Sequence, residues 1–247
     1  MSGFRMNSPQ GKAILAMVRG GDHAHPGEEE ALRLMAAMAD RDQVRRVLDV
    51  GCGRGGSAAW FQREGWGEVV GLDIDAKSID YAKSAYPGID FRAQDIATLP
   101  RDAFEPFDLI YLLTAYYAIP DQREALHRLR GACRDGGTLL VVDYMRPEGQ
   151  PIPPELGAEI GRPIVLEHLK NALADVGWGE ILVDDWSGHF LRWYEALLDR
   201  FHVSEHRIVE AYGEDWYAYV TGWYGTLRDS LSGGRLGGVA VRAKAVH

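Results

Sequence analysis

The ten residues from Val47 to Gly56, Val-Leu-Asp-Val-Gly-Cys-Gly-Arg-Gly-Gly, constrain the fold of this chain more than any other stretch. An apolar run, Arg46-Val47-Leu48, leads into Asp49-Val50 and a glycine-rich turn, and Ser57-Ala58-Ala59-Trp60-Phe61 follows with helical character. The pattern predicts a strand, a tight loop and a helix start. Glycines at 51, 53 and 55 let the backbone turn sharply and approach a ligand without a Cβ in the way. The helix N-terminus behind them offers unpaired N–H groups and the positive end of a dipole. Such a unit belongs in an open, doubly wound α/β sheet, which binds ligands at the carboxyl ends of its strands.

Two cofactor classes use a loop of this kind. Gly51-x-Gly53-x-x-Gly56 matches the dinucleotide fingerprint. Asp49, two residues before the first glycine, would repel a pyrophosphate there and would welcome a cofactor that carries a cationic amino group. The Leu-Asp-Val-Gly-Cys-Gly-x-Gly run resembles motif I of class I S-adenosylmethionine (SAM) methyltransferases. The resemblance implies that Asp49, Gly51, Cys52 and Gly53 bind SAM and its product S-adenosylhomocysteine.

Later segments fall in register with that family. Val69-Val70-Gly-Leu72-Asp73-Ile74-Asp75 is a second strand ending in acid. Asp73 matches the family's ribose-binding position, Ile74 would lie against the adenine, and Asp75 suits the N-cap of a helix over Ala76–Ala85. Ile89–Ile96 is a third strand running into a loop; Asp95 matches the family's adenine-amino contact, and Ile96 could donate its N–H to the ring. Phe107–Leu113 is a fourth strand, continuously apolar as buried parallel strands are, with Leu113 at its carboxyl end and Asp108 structural at its start. Tyr117 follows, where the family carries histidine or aromatic active-site residues. A helix over Gln122–Cys133, a glycine turn at Asp135-Gly-Gly and a fifth strand, Thr138–Asp143, complete the run. The candidates Asp49, Asp73, Asp95, Leu113 and Asp143 all lie near strand ends.

The flanks are less regular. Residues Pro9–Val18 read as a short helix, 19–27 as a loop with two glycines, a proline and two histidines, and Glu28 to about Ala39 as a helix whose acidic first turn suits its dipole. His25-Pro-Gly resembles the His-Pro-Gly-Gly segment before motif I in several small-molecule methyltransferases, with Glu28 in place of the second glycine. His23 and His25 are either exposed loop histidines or residues over the methionine end of the cofactor. Prolines 147, 151, 153, 154 and 163 predict a surface loop over 146–162. Pro163–Val176 then reads as a helix and Gly177–Trp186 as a sixth strand, and the resemblance implies a seventh, antiparallel strand, with Leu236–Lys244 as its counterpart here. Between the last two sits a helical, aromatic insertion, 187–235, placed where related enzymes cover their substrate; packing accounts for most of its aromatics, and two or three are expected to reach the pocket.

The expected architecture is therefore one α/β domain over 1–247 with a Rossmann-like seven-stranded sheet. It divides into N-terminal helices and a cap loop (1–43), a SAM-binding core (44–186), a helical lid insertion (187–235) and a terminal strand (236–247). A net charge of −9 disfavours nucleic acid as a partner. No run of about 18 apolar residues is present, and no membrane partner is expected. Cys52 and Cys133 fall in different elements with no metal spacing, so no metal is expected and a cytoplasmic monomer or homodimer is the simplest expectation. The expected activity is transfer of a methyl group from SAM to a small molecule, nitrogen favoured, with His25, His23 and Tyr117 as the candidate bases. O- or S-methylation of a phenol, heterocycle or thiol stays open, as do a non-catalytic SAM-binding protein and a NAD-linked reductase.

Overall fold

The structure, a computed structural model, describes residues 4–6, 8–100, 103–157 and 159–246. Met1, Ser2, Gly3 and Asn7 of the expected N-terminal segment, Arg101 and Asp102 of the core, Ala158 of the 146–162 loop and the terminal His247 lie outside the described residues.

Short local signals set the first elements. Helix α1 (Pro9–Arg19) has proline at its first position, and the Ser8 hydroxyl accepts from the Gly11 N–H at 3.1 Å. Helix α2 (Glu28–Ala36) opens on three glutamates. Strand β1 (Arg46–Val50) and helix α3 (Gly56–Arg63) enclose the glycine loop. Then come β2 (Glu68–Asp73), α4 (Ala76–Ala85), β3 (Asp90–Ala93), β4 (Phe107–Leu113) and α5 (Gln122–Ala132). Asp75 caps α4 through the Lys77 N–H, and Asp121 caps α5 through the Glu124 N–H.

The next part departs from the expectations in three places. Strand β5 runs from Cys133 to Met145, so α5 ends one residue early. The Asp135-Gly-Gly turn is an irregularity inside that strand: pairing with β4 steps from Phe107↔Cys133 to Leu109↔Thr138. The proline-rich loop contains a helical turn, α6 (Pro154–Gly157), because proline is tolerated at a first helical position. Helix α7 (Leu166–Asp175) begins after Pro163. Ile164 donates its N–H to the Tyr144 carbonyl at 2.8 Å and accepts from the Arg146 N–H at 2.9 Å, so it extends alongside β5 instead of joining the helix.

Strand β6 (Trp178–Asp185), helices α8 (Ser187–Val203), α9 (Glu205–Tyr212) and α10 (Glu214–Ser232), and strand β7 (Gly237–Ala245) complete the chain. The seven strands form one sheet in the order β3-β2-β1-β4-β5-β7-β6. Strands β1 to β5 are parallel, and β7 runs antiparallel between β5 and β6. Both faces are covered. Along β4, Leu109 and Tyr111 pack into the core shared with α1, α3, α8 and α10, while Ile110 and Leu112 pack on the other side with α5 and α7. That two-residue alternation, apolar on both faces, is why β4 reads as an unbroken hydrophobic run. The sheet reverses its strand order between β1 and β4, and a crevice opens there. No helix among the described residues is long and apolar enough to cross a membrane.

Candidate active site

A cavity of about 980 Å³ opens at the carboxyl ends of β1, β2 and β4 and runs beneath α1, α8 and α10. On one side it is lined by Asp49, Gly51, Cys52, Gly53, Asp73, Ile74, Asp95, Ile96 and Leu113, the nine residues that the sequence pattern brings forward for the cofactor.

The glycine loop shapes this half. Gly51 has φ +79°, and a Cβ there would stand 2.5 Å from the Ala115 Cβ, so the position demands glycine on both counts. The Gly53 N–H donates to Asp73 Oδ2 at 2.8 Å, and the Asp75 N–H donates to Asp73 Oδ1 at 2.8 Å. Asp73 thus ties the loop to the end of β2. A carboxylate has about four acceptor sites, so two remain to take a ribose diol. Ile74 is 77 % exposed into this space, an apolar surface suited to the face of a flat base. Asp95 accepts from the Ala97 N–H at 2.9 Å and orders the turn that carries Ile96.

Asp49 differs from the other two acids. It is buried, its Oδ2 has no hydrogen-bond partner among the described residues, and the Tyr111 hydroxyl lies beside it. Burial, foremost, pushes its carboxyl up to about 7. An orphaned buried acid in the wall of a cavity is costly without a partner. A ligand ammonium supplies that partner and favours the ionised form. The residues of this half therefore fit SAM: an acid for its amino group, an acid for its diol and an apolar face for its ring, while Lys12 and Arg54 beside them are already paired with Asp75 and Asp22.

The cap loop between α1 and α2 closes over this half. Asp22 pairs with Arg54 of the glycine loop at 3.0 Å and accepts from the hydroxyls of Tyr81 and Tyr86 at 3.1 and 2.9 Å. Lys12 of α1 reaches Asp75 at 2.6 Å.

His25 lines the cavity but is committed elsewhere. It is 3 % exposed. Nδ1 lies 3.1 Å from the Pro26 carbonyl, which can only accept, so Nδ1 carries the proton and Nε2 accepts from the Ser57 hydroxyl at 3.0 Å. Burial, foremost, holds the ring well below the ordinary histidine value, hence neutral. His23 stacks edge-on against His25 at 5.3 Å, lies outside the cavity lining, and is likewise shifted down chiefly by burial.

The opposite half is aromatic. Tyr117 follows β4 and packs edge-on against Tyr144, the penultimate residue of β5, at 5.3 Å. Tyr144 and Tyr194 of α8 share a hydroxyl–hydroxyl hydrogen bond, and Tyr194 stacks on Tyr224 of α10 at 5.7 Å. Trp223 and Glu159 complete the lining. Thr114, between β4 and Tyr117, has φ +49°. A β-branched residue in that region is strained and is tolerated where its surroundings over-determine it. Here its N–H donates to the Val142 carbonyl at 2.7 Å, and the buried Asp143 accepts from the N–H groups of Tyr117 at 3.1 Å and Tyr144 at 2.7 Å. The sequence pattern brought forward Tyr117 alone on this side. It missed Tyr144, which reads as an ordinary strand end, and Glu159, which sits in a proline-rich loop. Of the insertion's aromatics, Tyr194, Trp223 and Tyr224 are the three that line the cavity.

Residues 47–137 match the family model described as a methyltransferase domain. Among curated proteins, phosphoethanolamine N-methyltransferase 3 of Arabidopsis thaliana is 25% identical over 84% of this chain and 44% of its own length. Trans-aconitate 2-methyltransferase of Rhizobium rhizogenes is 33% identical over 44% of this chain and 42% of its own. The chain thus spans less than half the length of these relatives. Among solved structures, a phosphoethanolamine N-methyltransferase 2 of Haemonchus contortus, in complex with phosphomonomethylethanolamine and S-adenosylhomocysteine, superposes with a TM-score of 0.87 at 18% identity over 98% of this chain and 58% of that one. A putative sarcosine dimethylglycine methyltransferase of Galdieria sulphuraria gives 0.85 at 14% identity, covering 98% and 99% of the two chains. Residues 47–137 thus carry a methyltransferase domain, and the sheet around them has the fold of the methyltransferases on which the chain superposes.

Proposed function

We propose that the protein methylates the nitrogen of a small-molecule amine. The observation that carries this reading is that, among the described residues, the one histidine lining the cavity has no free lone pair. Both nitrogens of His25 are engaged, and the buried hydroxyls of Tyr144, Tyr194 and Tyr224 are all pushed up, chiefly by burial, so they stay protonated. A phenol or thiol needs its proton removed before it attacks. A neutral amine brings its own lone pair. When bound, S-adenosylmethionine supplies a methyl on a sulfonium: the nitrogen–carbon bond forms, the carbon–sulfur pair leaves with sulfur, and the positive charge passes to nitrogen. The chain's part is alignment and exclusion of water, worth ~7–11 kcal/mol in favourable cases. The aromatic walls also stabilise the cation that forms, by ~0.5–2 kcal/mol per good contact. The N-methyltransferase names of relatives such as the Arabidopsis protein, matched over most of this chain, support the same reading.

Helices α8 to α10 and the 19–27 loop act in this reading as the cover that closes over ligand. The free, buried Cys52 and Cys133 suit a reducing, cytoplasmic setting, in which a monomer or homodimer is the simplest arrangement. The test is a panel of amines, phenols and thiols with SAM, scored by release of S-adenosylhomocysteine, alongside calorimetry with SAM and NADH. Turnover of amines and binding of SAM alone is the expected result. Exclusive turnover of phenols or thiols would overturn the nitrogen preference, and NADH binding would overturn the cofactor.

A further inference from the structure

Among the described residues, the acceptor half holds one carboxylate that the methyl transfer itself does not require. Glu159, two residues past α6, lines the cavity. Its Oε1 accepts from the Met6 N–H at 2.8 Å and from the Tyr219 hydroxyl at 3.1 Å. The N-terminal segment and α10 thus grip the group from two sides, and Oε2 takes neither of those bonds. Around it stand Tyr117, Tyr144, Tyr194, Trp223 and Tyr224. The Trp223 Nε1 is buried without a hydrogen-bond partner among the described residues.

The cations lining the cavity are placed otherwise. Among the described residues they are Lys12, Arg54 and Lys77. Lys12 is paired with Asp75 and Arg54 with Asp22, both beside the cofactor half, and Lys77 is exposed in the first turn of α4. Arg19, whose charge reaches Tyr194 and Tyr224, does not line the cavity. It donates to the His23 and His25 carbonyls and lies 3.3 Å from Glu28. A phosphate in the acceptor half would therefore meet a carboxylate and five aromatic rings. Burying an anion there without a partner, next to a like charge, is costly. An ammonium in the same place gains a charge-assisted hydrogen bond or ion pair and several ring faces.

Resting on the N-methylation reading, we propose that the acceptor is an unphosphorylated amine, and that Glu159 is the specificity-determining residue that holds the cationic head formed on methylation and rejects a phosphorylated counterpart. In this respect the chain parts from the relatives whose names carry phosphoethanolamine. The neutral amine attacks, and Glu159 with the aromatic walls favours the charged product head over a phosphate-bearing one.

The test is a binding measurement that needs no turnover. The chain loaded with S-adenosylhomocysteine is titrated in a calorimeter with choline and with phosphocholine, two product-like probes that differ only in the phosphate. Choline should bind about tenfold or more tighter, the scale of one cationic head losing its partners. Glu159→Gln should weaken choline about tenfold while S-adenosylhomocysteine affinity holds, and Glu159→Lys should reverse the preference. Equal or tighter binding of phosphocholine by the unaltered chain overturns the proposal, as does binding of neither probe. If a variant fails to fold, the unaltered chain's preference decides alone. A different failure marks the underlying reading: no S-adenosylhomocysteine released from any amine, phosphorylated or not, removes N-methylation itself. Preferred turnover of phosphoethanolamine over ethanolamine removes only the role given to Glu159.

Discussion

The two halves of the cavity are built in different ways. In the cofactor half three acids are set in part by their own neighbourhood, since Asp73 accepts from the Asp75 N–H, Asp75 from Lys77 and Asp95 from Ala97, each two residues on, while Asp73 and Asp75 also reach Gly53 and Lys12. In the acceptor half the walls come from β4–β5, α8, α10 and the stretch after α6, and the hydrogen bond from Tyr144 to Tyr194 joins residues 50 positions apart. One half repeats a local cap at successive strand ends and adds long-range ties to it. The other exists only once the helical layer has packed. Damage to the first should therefore strike cofactor binding directly, and damage to the second should strike the acceptor while cofactor affinity holds.

The largest effect is expected at Gly51. Gly51→Val adds a branched side chain at φ +79° and 2.5 Å from Ala115. A strained non-glycine backbone costs ~1–3 kcal/mol before any clash is counted, so SAM affinity should fall by roughly 100-fold or more in calorimetry. Retained affinity would show that the loop is not where the cofactor sits. Next is Asp73→Ala, which removes the anchor of the Gly53 N–H as well as the diol partner. A loss of ~1–3 kcal/mol in SAM binding is the scale for an unpaired buried polar partner. An unchanged dissociation constant would take Asp73 out of the site.

The same contrast decides what could be read without a structure. Strand β4 announces itself because both its faces are buried, and Asp75 announces itself as a helix cap. Asp49, Asp73 and Asp95 stand at strand ends, where a doubly wound sheet concentrates ligand contacts. Tyr144 carries no such mark. Its role comes from β5 running on to Met145 and from α8 bringing Tyr194 to its hydroxyl. Glu159 was hidden by prolines that read as loop, and the α6 turn and the Met6 N–H that fix its carboxylate are tertiary facts. His25 resolves between its two readings: it lines the cavity and is not exposed. A histidine in a glycine-rich loop reads as exposed or reactive, and here Ser57 and Pro26 hold both its nitrogens.

A smaller effect should separate Asp49 from the other acids. Burial pushes its carboxyl up to about 7, and a cationic ligand group needs the ionised form. Below pH 7 the free protein holds a proton there that must leave before the ammonium can pair. SAM affinity should therefore rise with pH between 6 and 8 by about tenfold and level off above, since one unit of pKa corresponds to about 1.4 kcal/mol. Asp49→Asn should bind more weakly and lose that slope. An equally steep slope in the variant would assign the titration to another group.

The smallest effect is expected at the residue that sequence alone brought forward first for catalysis. A histidine general base contributes ~10²–10⁴-fold, and His25→Gln would then cost at least that lower figure in kcat. The structure leads to a different expectation. The His25 Nδ1–H is spent on the Pro26 carbonyl, its Nε2 lone pair on the Ser57 hydroxyl, and burial keeps the ring neutral throughout the physiological range. A glutamine can reproduce a donor and an acceptor in the same space. His25→Gln should therefore change kcat with an amine acceptor by less than about tenfold, well short of a general base's share, and should leave the pH profile of kcat in place. Ser57→Ala sharpens the point: it frees the Nε2 lone pair inside the cavity wall without removing the ring. If His25 were a base restrained by its serine, that change would speed turnover, whereas a positioning histidine that has lost a partner should slow it slightly. A 100-fold loss in His25→Gln, together with faster turnover in Ser57→Ala, would move the base to His25 and reopen the oxygen and sulfur acceptors.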